Sequence, residues 1–211
     1  MVFRRLNCCR RLAASALMVW VTITYSQISA AAPTARMASG VTAVALNDAF
    51  IGAIDGSAVT VGSVVPGAVV VNRYAVLPVV GGGFDLGTAQ GEILHAGGLS
   101  ISAANASLIF QDFILSTADA PILSGLVVLN GGVVGRFPLF KLTFPTDFEL
   151  PVSLAADGML NLTGLGVSLT AQAAAALNRV FAVTTFHEDF VIGTAAVSSI
   201  TASVSGEGAE P

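Results

Sequence analysis

Apolar and polar residues alternate through most of this chain, with glycines and acidic turns between the alternating runs. In Leu99-Ser100-Ile101-Ser102 every second side chain is apolar, the period of a strand with one buried face. The pattern predicts three consecutive strands over Gly91 to His95, Leu99 to Ala103 and Ser107 to Leu115, bent at Gly97-Gly98 and near Ala104-Asn105. Val59 to Val65 and the β-branched run Ala68 to Val80 read as strands before them, parted by Pro66-Gly67 and ended by Gly81-Gly82-Gly83. Pro121 to Leu129, Val133 to Phe144, Leu150 to Leu154, Met159 to Leu162, Val167 to Leu169 and Phe190 to Ile200 continue the series. Turns at Asn130-Gly131-Gly132, Pro145-Thr146-Asp147, Asp157-Gly158 and Gly164 separate most of them.

Two segments keep a helical period instead. Val44, Leu46, Phe50 and Ile54 fall on one face of a helix predicted over Val41 to Ile54. Thr170 is a candidate N-cap for a helix over Ala171 to Phe181, buried through Leu177, Val180 and Phe181. Short strands with regular turns and two small helices predict a mainly β domain, an antiparallel sandwich or barrel-like fold. Ala45-Leu46-Asn47-Asp48-Ala49-Phe50 is echoed by Ala176-Leu177-Asn178-Arg179-Val180-Phe181, each before a loop and a glycine-containing strand. The echo is either a coincidence among abundant Ala and Leu or the trace of a duplicated helix-loop-strand unit.

The first 31 residues follow different rules. Arg4, Arg5, Arg10 and Arg11 form a basic start, Leu12 to Thr24 an apolar run, and Ser29-Ala30-Ala31 a small-residue cleavage site. That is the layout of a secretory signal peptide, with an apolar run shorter than the ~20 residues of a spanning helix. Residues 32–40 then read as a flexible linker, 41–200 as one β-rich domain and 201–211 as a polar tail. Cys8 and Cys9 leave with the signal, so the exported chain has no disulfide framework.

Charge narrows the partners. The whole chain has a net charge of −4, but without the signal five cations face 13 acids, a balance of −8. An acidic domain with scattered cations offers no footprint for nucleic acid or an anionic membrane surface. Only 10% of residues are charged and 54% are hydrophobic, which favours packing against another protein, an envelope component or a second copy. An apolar strand such as Ala68 to Val80 at a sheet edge invites such pairing.

Candidate chemistry is sparse. His95 sits between a strand and a Gly-Gly turn, as a ligand or as a histidine satisfied by loop backbone. His187-Glu188-Asp189 groups three metal-binding types, but consecutive extended residues do not converge on one ion. Asp112, Asp119, Asp147, Glu149 and Asp157 lack calcium-loop spacing. No Gly-Xaa-Ser-Xaa-Gly elbow and no exported cysteine supply a nucleophile, so no catalytic residue and no metal site is assigned.

Gly82-Gly83-Phe84, Gly91-Glu92-Ile93-Leu94-His95-Ala96-Gly97-Gly98-Leu99, Asp112-Phe113-Ile114, Gly135-Arg136-Phe137-Pro138-Leu139-Phe140 and Leu169-Thr170-Ala171 through Asn178 carry a resemblance. In them the chain resembles an uncharacterised type of exported bacterial β-domain, itself similar to the HtaA haem-uptake domains. The resemblance implies a tyrosine iron ligand preceded by a serine four residues earlier, and a histidine in a Gly-His motif. Tyr74 and His95 are the residues of the exported chain that could contact iron, with Val70 at the serine position. The leading expectation is therefore a secreted, non-catalytic β module of the cell envelope that binds protein or serves as a structural component, with no cofactor. A haem or hydrophobic-ligand carrier, using Tyr74 and His95, is the alternative.

Overall fold

Eleven antiparallel strands and two helices follow one another in the computed structural model, which describes residues 34–202 apart from 56–58, 66–68, 72 and 105. The order is β1 (Thr34–Leu46), α1 (Asp48–Asp55), β2 (Thr60–Val64), β3 (Val69–Val71), β4 (Tyr74–Asp85), β5 (Gly91–His95) and β6 (Gly98–Ala103). Then come β7 (Ala106–Ser116), β8 (Ile122–Leu129), β9 (Gly132–Thr143), β10 (Met159–Leu169), α2 (Ala171–Phe181) and β11 (Val191–Ala202). The signal segment and all of the tail beyond Ala202 lie outside the described residues.

The sheet closes because β7 changes partner partway along one edge. Residues 106–111 pair with β6 and residues 114–116 pair with β5, while the opposite edge pairs throughout with β8. Asp112 marks the change: its φ of 52° belongs to a bulge, and the register with β8 shifts between Gln111 and Ile114. The path β7-β5-β4-β1-β11-β10-β9-β8 then returns to β7 as an eight-strand barrel, the barrel form of the expected fold. β6 and β2 continue past the barrel as a flap, and β7, β8 and β9 run out beside it.

Inward positions alternate along each strand and fill the interior with apolar side chains. Phe84, Ile93, Phe113, Leu115, Leu160, Leu162, Leu169 and Val197 are fully buried. α1 and α2 meet at one end of this core, where Phe50, Ile54, Leu177 and Phe186 line a small common void. α2 begins where the sequence places it. Thr170 Oγ1 accepts from the Ala173 N–H at 3.1 Å and donates to the Pro138 carbonyl at 2.8 Å, so the cap also pins the helix to β9.

Several expectations change. Residues 34–40, expected to be a flexible linker, form the first half of β1, held by β11 on one side and β4 on the other. The first helix is confined to Asp48–Asp55, because residues 41–46 continue β1 and Asn47 caps the helix through its side-chain oxygen, 2.7 Å from the Ala49 N–H. Strand β4 runs through Gly81-Gly82-Gly83 to Asp85, with Gly82 at φ 142° and a register shift between Val79 and Gly81. β4 is also no sheet edge, since β1, β3 and β5 all pair with it. Leu150 to Leu154 is a loop, and Gly164 is a bulge inside the continuous β10. The Ala-Leu-Asn echo joins unlike structures: Asn47 precedes a helix, whereas Asn178 sits near the end of one and precedes no equivalent strand pairing.

Candidate functional site

A groove opens between α2 and the outer reach of β7, β8 and β9. Thr170 fixes its closed end, because its N–H also donates to the Leu139 carbonyl at 3.1 Å. At the far end, Asn130-Gly131 reverses the chain between β8 and β9 with both residues at positive φ, 50° and 83°, the conformation of a tight hairpin. The Asn130 side chain ties this turn to β7 by accepting from the Ser107 N–H at 2.9 Å. α2 leaves β9 beyond Leu139, and alanine at 175 and 176 keeps its facing surface shallow. The space left has a volume of about 380 Å³, within the ~300–1,000 Å³ of small-molecule sites.

The groove is lined by Leu108, Phe110, Val127, Leu129, Val134, Phe137, Pro138 and Leu139 from the sheet, and by α2. Gln172 and Arg179, both on α2, are its polar side chains. They are seven positions apart, two helical turns or about 10 Å along one face. Among the described residues no lining side chain is a His, Cys, Met or Tyr, so none of them supplies an axial iron ligand. A second pocket of about 380 Å³ lies beside α1, between Leu46, Phe50, Ile54, Val61 and Arg73, with Arg73 paired to Asp48 at its rim. Among the described residues it too lacks an iron ligand. A small apolar void of about 60 Å³ lies among Val44, Leu77, Phe110 and Phe113.

The two residues singled out by sequence occupy opposite sides of the barrel wall. Tyr74 begins β4 with its side chain outward and 49% exposed, while Ala75, Leu77 and Val79 point in. His95 points inward from β5 and is 3% exposed. Its Nδ1 lies 3.3 Å from the Phe113 carbonyl, which can only accept, so Nδ1 carries the proton. Nε2 then accepts from the Thr42 hydroxyl at 2.7 Å. Burial pushes the imidazole down to about 4, the Phe113 carbonyl opposing the shift. Both ring nitrogens are engaged, and Tyr74 and His95 cannot converge on one iron.

Three of the acidic candidates, Asp157, Glu188 and Asp189, have local partners. Lys141 binds Glu188, and Asp189 at 3.0 Å, which ties the loop after α2 to β9 and raises the lysine above its ordinary value. Asp157 accepts from the Met159 N–H at 3.1 Å in a turn. Asp85, which the sequence left unremarked, accepts from Gly87 and Thr88, and the Thr88 hydrogen bonds hold it below the usual carboxylate value. Among the described residues no three His, Cys, Asp or Glu side chains gather as a metal site.

Sequence reasoning missed the groove because its walls come from residues 108–139 and 172–180. The available signal was the exposed Ala-Ala face of a short helix beside a hairpin, Val127 to Val134, that is apolar on both strands.

No family model and no curated protein matches this chain. Solved structures do. The C-terminal domain of HtaA from Corynebacterium glutamicum superposes with a TM-score of 0.57 at 15% identity, covering 80% of this chain and 99% of that domain. The haem-binding protein HtaB from the same organism gives 0.51 at 14% identity, covering 81% of this chain and 96% of its own. At these identities the likeness is one of architecture, and the chain has the barrel fold of the HtaA and HtaB domains.

Proposed function

We propose that this protein is an exported, non-catalytic binding module of the cell envelope whose ligand is an apolar small molecule held between α2 and β9. The observation that carries this reading is a groove of about 380 Å³ whose polar side chains, among the described residues, are Gln172 and Arg179. HtaB, described as haem-binding, lends support through its similar barrel. Iron coordination plays no part here, since neither Tyr74 nor His95 lines the groove. Affinity comes from burying apolar ligand surface, at ~25 cal/mol per Å² before the costs of association.

The test is a fluorescence titration with the neutral apolar probe N-phenyl-1-naphthylamine, on the wild type and on Ala176→Trp. Ala176 is exposed on the groove wall, so the indole fills the site without entering the core. Saturable binding by the wild type, lost in a folded Ala176→Trp, is expected. A flat wild-type titration, or equal binding by the variant, overturns the reading.

A second reading, docking of protein, has one favouring observation. Residues 132–137 of β9 pair only with β8, leaving an open edge on which Val133 is 70% exposed. Self-association through this edge would appear in sedimentation velocity and be reduced by Val133→Lys.

A further inference from the structure

We propose that the groove selects an elongated apolar monocarboxylate, its anionic group at Arg179 and its apolar body lying along α2 toward Gln172. The inference rests on the groove being a ligand site and adds the ligand's charge and orientation.

Charge distribution carries it. The chain is acidic, with a net charge of −4, yet among the described residues the single charged side chain lining the groove is a cation and no carboxylate lines it. Three other cations are committed. Lys141 is paired with Glu188 and Asp189, Arg73 with Asp48, and Arg136 donates to the Asp112 carbonyl at 2.7 Å. Arg179 enters no ion pair among the described residues. An unopposed guanidinium at the rim of an apolar trough attracts an anion whose remainder is apolar, and its planar fork suits a carboxylate. The distance to Gln172, about 10 Å along the helix, sets the length of the apolar body. Gln172 can then hydrogen-bond a polar group at the other end.

Arg179 also lies in the last turn of α2, where a cation complements the helix dipole whatever the groove holds. That structural role would leave ligand selectivity untouched, so selectivity is the quantity to measure. The two probes are 1-pyrenebutyrate and 1-pyrenebutanamide, nearly isosteric, one anionic and one neutral. Their Kd values are compared by pyrene fluorescence on the wild type, on Arg179→Gln, and on Arg136→Gln, a cation that does not line the groove.

The expected result is a preference of about fivefold for the carboxylate, the scale of a solvent-accessible ion pair. The preference should shrink with added salt, fall to about unity in Arg179→Gln and survive in Arg136→Gln. Equal affinities in the wild type, or a preference that survives in Arg179→Gln, overturn the assignment of the anion while leaving an apolar site. Binding of neither probe overturns the assignment and the ligand-site reading together.

Discussion

Replacing His95 by glutamine should abolish most of the acid sensitivity of this fold between pH 6.5 and 4. His95 is buried in the barrel wall, hydrogen-bonded to Thr42 and the Phe113 carbonyl, with its pKa lowered from 6.5 to about 4. A lowered histidine pKa means that the unfolded chain binds a proton that the folded one refuses. The neutral ring's stability is therefore fully present above pH 6.5 and is lost as pH falls toward 4. A span from 6.5 to about 4 corresponds to about 3 kcal/mol, a large share of the ~5–15 kcal/mol that holds a domain folded. Protonation would also place a donor on Nε2 opposite the Thr42 hydroxyl, ending its role as acceptor. The assay is urea unfolding at half-unit steps from pH 8 to 4, for wild type and His95→Gln. Wild-type stability should fall steadily below 6.5. The variant should start about 1–2 kcal/mol lower from imperfect hydrogen bonding and then run nearly parallel to the pH axis. Subtracting the two curves removes groups common to both, including Asp85, whose lowered pKa acts below its ordinary 3.8. A difference curve without slope between pH 6.5 and 4 would refute the buried, neutral histidine.

Other outcomes follow from single contacts. Thr170→Ala removes both the α2 cap and the tie to Pro138, and should cost about 2 kcal/mol in urea unfolding while weakening N-phenyl-1-naphthylamine binding. Gly98→Ala places a Cβ 2.0 Å from the Phe110 carbonyl oxygen and 2.7 Å from the Gln111 Cα, backbone atoms that cannot turn aside. It should cost more than about 3 kcal/mol, read as a lowered urea midpoint. Because Tyr74 does not line the groove, Tyr74→Phe should leave any haemin titration followed by absorbance unchanged. Haemin and iron-free protoporphyrin should bind with similar affinity, since no lining side chain coordinates the metal.

How far the sequence revealed this fold depended on how local each cause was. The strands from β5 to β9 and the helix Ala171–Phe181 match the sequence closely because alternation, turn dipeptides and a threonine cap act over a few residues. β1 departs from expectation because Thr34–Gly40 is rich in small residues and owes its extended form to β11 and β4, 39 or more residues away in sequence. Gly81 to Gly83 has the composition of a turn, yet β1 and β5 on either side hold it in the sheet. The site was less legible still. His95 stands out in the sequence, but its environment depends on Thr42 and Phe113, and only register reveals that Tyr74 faces the other way. The groove is a space between elements and carries no motif.

A crystal soaked with N-phenyl-1-naphthylamine tests the ligand site most directly. The expected density lies between α2 and β9, against Val134, Phe137 and Ala176. Density beside α1 near Arg73, or none at a concentration that saturates the fluorescence titration, would contradict the assignment.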